Sequence, residues 1–570
     1  MADQSAIVHP ADEAVLHDWP LRPWLLAALL GLAGLLVYFA ADGGENVPWR
    51  MALAAAAVFG PLALAFTLAQ DRWKAPAIFA AAVALVMAGI AWRATSAGDR
   101  YADEEFWVAA GILAVTLALP LFQAGFHRLR WGTSYKVTHF HVWTDAISGA
   151  GALAFVGLAW ALIALLAELF SVIKIDLLED LIDETWFGWL YSGAAFGAAL
   201  GVLRNQLKII GTLQNVVLLV LSILAVPLAI ALVIFLLAVA ASGLDVLWEA
   251  TKSATPLLLS IAVGCFVLAN AVVRDEDEQA SNSRILRLAG FVLALGILPL
   301  SVMAAISMGT RIGQHGLSPE RLWALVAIAV AVAYGVGYFV AALRGRRAGW
   351  RDLLRQANLH LAVLTCVIAF ILALPLFNFG AVSASNQLAR LERGDVSADD
   401  FDYVALRWDF GEAGRDALAK LAKSENAEIA KFASDTLKLD RRPYYGTTRA
   451  DQRELAAKAR ITVTDPAVEK ALRAHLEREV FTCPGGCRAV EVGEVEAGPL
   501  IALIIGENPQ FLVYDREKAE IVQYWVQDGK ILMLGTYHAK RVEREGRIEL
   551  RRFEGRQLYV GDQPVGQPFE

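Results

Sequence analysis

Along this chain the apolar residues come in long unbroken runs rather than in alternation with polar ones. Eleven runs approach or exceed the roughly 20 apolar residues that a helix needs to cross the hydrocarbon core of a bilayer. They lie near Pro23–Ala41, Met51–Ala69, Ala75–Trp92, Phe106–Phe122, Ala146–Val172, Trp186–Leu203, Leu213–Ala241, Pro256–Val273, Leu286–Met308, Leu322–Leu343 and Leu359–Phe379. The sixth, rich in Gly and Ala, is the weakest. Trp24, Trp49, Trp92, Trp107, Trp186 and Trp323 fall at run ends, where an indole keeps its ring near lipid and its N–H near headgroups. The stretch Leu374–Arg393 closes the series, and nothing after it is long enough to span. The expected fold class is a polytopic α-helical membrane protein of about eleven transmembrane helices, carrying a C-terminal soluble α+β domain. The expected division is a cytoplasmic tail over residues 1–22, a helical bundle over 23–382, a helical subdomain over 383–480 and a β-rich subdomain over 481–570.

Beyond the bundle the period shortens. Leu418, Leu421, Ile429, Phe432 and Leu437 recur at helical spacing, Ser397 with Asp400 has the spacing of a capping box, and Thr464-Asp465-Pro466 reads as a helix start. From Pro499 onward, Leu500–Ile505, Gln510–Tyr514, Ile521–Val526, Lys530–Leu534, Arg547–Arg552 and Gln557–Val560 read as strands separated by Gly, Asn-Pro and Asp-Gly turns. An antiparallel β-meander of about six strands follows. Between the fifth and sixth runs, Ile173, Leu177 and Leu181 line one side of an acidic stretch, the pattern of a short helix in the headgroup layer or of a solvated acidic loop. Gly31, Gly34 and Gly60 read as packing positions, where small residues let helix backbones approach.

Charge sets the orientation. The even-numbered loops between runs hold fifteen Lys and Arg residues and the odd-numbered loops seven, so the even loops are expected in the cytoplasm together with the N-terminus. An odd number of spans then puts the C-terminal domain outside. A mean hydropathy of +0.47, 57% hydrophobic residues and 19% charged residues fit a membrane protein. The net charge of −7, with no basic block interleaved with aromatics, excludes nucleic acid as a partner. The bilayer is the required partner, with a further envelope or membrane protein open for the β-region. Acidic residues Asp12, Glu13 and Asp18 stand where a signal peptide would be positive, so the first run is expected to stay in the mature chain.

Candidate chemistry is sparse. His139, His141 and Asp145, with His127 upstream, could ligate a divalent metal, but the i, i+2 spacing brings both imidazoles to one side only in an extended segment. The bland reading is a polar, aromatic interface leading into the fifth span. Cys483 and Cys487 flank Pro-Gly-Gly, a turn that brings two Cα atoms within disulfide range. Oxidation is expected outside the cytoplasm, and the spacing is not that of a redox-active pair. Cys265 and Cys366 sit in apolar runs as small core residues. The acids Asp399, Asp400, Asp402 and Asp409 suit a solvated helix face, and the run Glu491–Glu496 lacks the order of a calcium loop. No phosphate loop, nucleophile elbow or zinc-protease motif is present, and no cofactor is expected. Within the runs Glu168 is essentially the one ionisable residue, which weighs against ion-coupled transport.

Three stretches carry a family likeness: Asp145–Leu169 ending in Ala-Glu-Leu-Phe, Arg311-Ile-Gly-Gln-His-Gly-Leu-Ser-Pro-Glu-Arg-Leu322, and Ser385-Asn-Gln-Leu-Ala-Arg-Leu with the following Phe401-Asp-Tyr-Val-Ala-Leu-Arg. In these the chain resembles the bacterial membrane family named domain of unknown function 4153, across most of its length. That resemblance implies a polytopic inner-membrane protein and brings no catalytic residues or cofactor. Read on its own, Arg311–Leu322 is a structural loop in which Gly316 ends one helix, Ser318 caps the next and Pro319 opens it, between Arg311 and Arg321. The favoured function is a non-catalytic inner-membrane protein anchoring an extracytoplasmic domain that binds or senses an envelope component. A permease or lipid-handling transporter, and a membrane enzyme using His139, His141 and Asp145, are the alternatives.

Overall fold

The computed structural model describes residues 19–44, 46–243, 254–278, 283–345, 349–443, 448–479, 483, 487–495, 497–505, 508–527, 530–533, 556–560 and 563–569. The N-terminal tail before Trp19 and the strand expected at Arg547–Arg552 lie outside these residues. The chain divides into two units, Met1–Ser383 and Ala384–Glu570.

Among the described residues of the first unit, eleven helices are long and apolar enough to cross a membrane. They are α1 (Arg22–Ala41), α2 (Pro48–Thr67), α3 (Lys74–Ala97), α4 (Glu104–Gln123), α5 (Tyr135–Val172), α6 (Thr185–Asn205), α7 (Leu207–Ser242), α8 (Ala254–Val273), α9 (Arg284–His315), α10 (Pro319–Arg344) and α11 (Trp350–Ala373). Pro61, Pro120, Pro227 and Pro299 lie inside continuous helices, so none of these four splits a span into two half-helices. α5, with 38 residues, is about 57 Å long at ~1.5 Å per residue. It exceeds the ~30 Å hydrocarbon core, and its first three turns form a polar, packed extension that the apolar run alone does not reveal.

Packing follows two series. α1 lies along α6 and α2, and α2 along α3; α8 packs on α9, α9 on α10, α10 on α11 and α11 on α4. The α1–α6 contact explains why the sixth span is so rich in small residues. A Cβ added at Gly193, Gly197 or Gly201 would strike the backbone of α1 at Leu30, Leu26 or Pro23, and one at Gly34 would strike the Trp189 carbonyl. Glycines four residues apart on α6 thus seat one backbone directly on another, the device that drives association where lipid offers no hydrophobic gain. The second series closes over a continuous core that includes Leu258, Leu293, Ile297, Leu300 and Leu354.

The loop Arg311–Leu322 joins α9 to α10. Gly316 takes a φ of 72°, the Ser318 hydroxyl accepts from the Arg321 N–H at 3.4 Å, Pro319 opens α10, and Arg321 Nη1 donates to the Gly316 carbonyl at 2.8 Å. Arg311 lies within the last turns of α9. The acidic stretch after α5 holds a seven-residue helix, Leu177–Asp183, but the half-buried face is Leu178, Leu181 and Ile182, and Leu177 points outward.

In the second unit, α12 (Phe379–Arg393) leads into α13 (Tyr403–Trp408), α14 (Gly411–Leu421) and α15 (Ala427–Leu437), which pack around Phe401, Tyr403, Leu406, Leu418 and Phe432. Ser397 and Asp400 do bond each other, at 2.8 Å and through the Asp400 N–H at 3.1 Å, but they close a turn. Asp402 is the residue that caps α13, accepting from Ala405 N–H at 2.9 Å. Arg407 donates to the carbonyls of Leu437 and Leu439 at 2.6 and 2.8 Å, satisfying the end of α15. After α16 (Arg449–Ala457), α17 (Pro466–Arg478) starts at Pro466 with Asp465 as its cap.

The sheet is larger at its start than the alternation indicates. Six strands lie in the order β1 (Arg460–Thr462), β2 (Arg488–Val495), β3 (Gly498–Ile505), β4 (Asn508–Asp515), β5 (Glu520–Gln527) and β6 (Lys530–Met533). β1 runs parallel to β2 and the others pair antiparallel, while β7 (Arg556–Val560) and β8 (Gln563–Phe569) form a separate hairpin. The run Leu500–Ile505 does not alternate because both faces of β3 are covered. Ile501 and Leu503 join Leu512, Val468 and Leu472 on one side, and Leu500 and Ala502 join Phe511 and Val513 on the other. Cys483 and Cys487 form a disulfide with Cα atoms 5.5 Å apart, buried in the first of these cores. For so short a loop the chain-entropy model gives about 2 kcal/mol. Cys483→Ala with Cys487→Ala is expected to lower the melting of the C-terminal unit in the full chain, read by the onset of proteolysis, with reductant having the same effect on the unsubstituted protein.

Candidate functional site

The His139, His141 and Asp145 set falls on the first turns of α5, and the helix separates its members. At 3.6 residues per turn, positions two apart point about 200° from each other. His139 therefore faces one side, while His141 and Asp145, one turn apart, share the other. Among the described residues no group of three His, Cys, Asp or Glu side chains could hold a metal ion. The acids of the second unit are likewise apart. Asp399 pairs with Arg453 at 2.6 Å, Asp409 with Arg442 at 2.7 Å, and Asp400 and Asp402 bond within their own turns. Glu491 and Glu494 stand on β2 rather than in a loop. Glu491 accepts from Thr464 N–H at 3.0 Å and Glu494 pairs with Arg516 at 2.6 Å.

What α5 does instead is separate two polar clusters at one end of the bundle. On the His141 and Asp145 side, Gln123 Nε2 at the end of α4 donates to the Phe66 carbonyl at 2.9 Å and to Asp145 Oδ1 at 3.2 Å. Arg204 Nη1, from α6, donates to the carbonyls of Ala65 and Leu68 and so satisfies the C-terminal end of α2. Arg22 Nη1 reaches the Arg204 carbonyl and Asn205 Oδ1, both at 2.9 Å, and Asn205 Nδ2 donates to the Trp19 carbonyl at 2.9 Å. The start of α1 and the ends of α2, α4 and α6 thus meet. Two acceptors there, Gln123 Oε1 and Asp145 Oδ2, are sealed from solvent without a hydrogen-bond partner.

On the other side of α5 a ring of three side chains closes between helices. Asn270 Nδ2 (α8) donates to Tyr338 Oη (α10) at 2.7 Å, Tyr338 Oη donates to Asn358 Oδ1 (α11) at 2.6 Å, and Asn358 Nδ2 donates to Asn270 Oδ1 at 2.6 Å. Tyr135 of α5 joins through Asn358 Nδ2 at 3.2 Å. Just beyond it Arg355, 7% exposed, donates to the Val273 and Arg274 carbonyls at 2.9 and 3.1 Å and pairs with Asp277 and Asp352 at 2.9 and 2.7 Å. Lys136–Glu276 and Arg351–Asp277, at 2.8 and 3.0 Å, tie the same loops together. His139, 5% exposed, has no hydrogen-bond partner at either ring nitrogen.

At the other end of α4 lies a third group. The Arg93 guanidinium stacks 3.2 Å above the Trp107 ring and donates to the Ala373 carbonyl at 3.4 Å, and Phe106 stacks on Trp323 with centroids 5.2 Å apart. Trp107, read above as a lipid anchor, is 1% exposed, whereas Trp24 is 76% exposed. Burial raises the Asp103 carboxyl above the usual aspartate value, with the indoles of Trp107 and Trp323 and the charge of Arg93 partly offsetting it. The starts of α4 and α10 and the ends of α3 and α11 therefore share the end opposite to the Gln123 and Arg204 cluster.

Sequence reasoning missed Gln123, Asn270, Tyr338 and Asn358. The signal for Asn270 and Tyr338 was available, as single polar residues inside apolar runs, which have to bond across helices, whereas Asn358 stands one residue before its run. A family model described as Domain of unknown function (DUF4153) matches residues 26–421. No curated protein and no solved structure matches the chain.

Proposed function

From the premise that this chain belongs to the family Domain of unknown function (DUF4153), with a match running from α1 into α14, we propose a non-catalytic multi-pass protein of the bacterial inner membrane. It holds its C-terminal α+β unit outside the cytoplasm, where that unit binds or senses an envelope component. The observation carrying this reading is the grouping of helix ends. Trp19 bonds among the ends of α2, α4 and α6, while Ala373, the last residue of α11, bonds at the opposite end of α4. An N-terminus and a C-terminal unit on opposite sides of the membrane is the arrangement this supports. The excess of Lys and Arg in the even loops supports a cytoplasmic N-terminus, and a buried disulfide suits an oxidising compartment.

Labelling of intact cells with an impermeant thiol reagent tests it. Labelling of Cys483 and Cys487 only after reduction is expected. Labelling that needs a permeabilised membrane, reduction included, would place the unit in the cytoplasm and overturn the reading.

A second reading, a permease or lipid-handling transporter, is favoured by the buried ring of Asn270, Tyr338 and Asn358 with Tyr135 attached, since polar side chains within apolar helices commonly line substrate or ion paths. A membrane enzyme built on His139, His141 and Asp145 draws less support, because α5 turns His139 away from the other two. Unchanged metal content and phenotype after His139→Ala with His141→Ala would remove it.

A further inference from the structure

We propose that Asp145 is a proton-binding site whose proton is shared with Gln123, and that this acid–amide pair clips α2, α4 and α5 together at the Arg204 end of the bundle. Gln123 Nε2 already donates to Asp145 Oδ1 at 3.2 Å, which puts the carboxyl and amide groups in hydrogen-bond contact. Both of the remaining oxygens, Gln123 Oε1 and Asp145 Oδ2, are buried acceptors without a donor. Two acceptors left over in adjoining planar groups are an expensive arrangement, because each has lost its water without replacement. One proton removes both deficits. Added from solvent to Asp145 Oδ2, it makes that oxygen a donor to Gln123 Oε1 and closes a reciprocal pair; nothing is oxidised and no other bond changes.

The charged and titratable groups facing the pair are few. Arg204 acts on Asp145 from α6, Arg22 of α1 stands behind it, and His141 lies one turn earlier on α5. α2 contributes the Phe66 carbonyl, and α4 contributes Gln123 itself. Arg204 is committed to the carbonyls at the end of α2 rather than to Asp145. Loss of the proton would leave a carboxylate that draws Arg204 away from those carbonyls, loosening the joint between α2 and α6. The pair is thus a proton-operated clip, a property the anchoring reading neither needs nor supplies.

Infrared spectra of the full chain in lipid nanodiscs, taken through a pH titration with carbon-13 aspartate and in an Asp103→Asn background, test this. A protonated aspartyl carbonyl band is expected at neutral pH and is expected to vanish in Asp145→Asn. That variant should melt with the parent, because its carboxamide makes both bonds of the protonated acid. In Gln123→Leu, which keeps the carboxyl but removes the amide that bonds it, the band should move to the higher frequency of a carboxyl group without a hydrogen-bond partner. Absence of the band at neutral pH in the parent would mean that water meets the two oxygens, and would overturn the proposal. So would a Gln123→Leu band at the parent's frequency.

Discussion

Replacing Gly197 with leucine is expected to leave no monodisperse, folded protein after detergent extraction, while Gly89→Leu should behave like the parent. The contrast isolates the cause. Both residues are glycines in spans, but a Cβ at Gly197 runs into the Leu26 carbonyl and the backbone beyond it, and one at Gly89 meets nothing within 4 Å. Overpacking a tight interior by a few methylene groups costs about 1–3 kcal/mol where neighbours can shift. Here the neighbour is helix backbone, which cannot rotate away, and Gly193 and Gly201 repeat the same contact one turn to either side. α1 would have to leave α6 along its whole length. Size-exclusion profiles and thermal melts of the two variants side by side are the measurement, and a folded Gly197→Leu would show that the ladder is dispensable.

Arg355→Met should be the next most damaging substitution, at roughly 3 kcal/mol. Methionine keeps much of the packing volume but removes every donor. The Val273 and Arg274 carbonyls at the end of α8 lose their partner, and Asp277 and Asp352 lose their buried cation. Asp277 is half-exposed, so water recovers part of that loss and keeps the cost at the low end for a buried pair. Arg355→Lys should recover little, since an ammonium cannot address carbonyls and carboxylates in the fixed directions of a guanidinium fork. A melting temperature for Arg355→Met equal to the parent's would count against this.

The spans were legible because a bilayer imposes one length on every crossing helix, and α1 and α8 end within two residues of where their apolar runs end. Where helices extend past the hydrocarbon the pattern falls silent. Tyr135–Asp145 carries the polar chemistry of both clusters, yet its composition reads as loop because its burial comes from neighbouring helices rather than lipid. Glu168 looked like the notable ionisable residue and bears only an exposed position, while Asp145, one residue outside the apolar run, is bonded by Gln123 at the end of α4. In the sheet, β2 was hidden by its acids. Glu491 and Glu494 suggested a ligand loop, the alternation of Val490-Glu-Val is too short to mark a strand, and Gly493 marks the register shift opposite Leu500. Pairing with β3 decided that segment.

The glycine ladder of α6 also bears on how the protein is made. Among the eleven spans of the described residues α6 is the least apolar and α7 the most, because the glycines that fit against α1 contribute little affinity for lipid. During synthesis α6 leaves the ribosome long after α1, and its partition into the bilayer has to be completed by a helix already there. Biogenesis is therefore ordered by the fold itself. The first span serves as the template that retains the sixth, and the face of α1 that α6 covers stays open to lipid until α6 arrives.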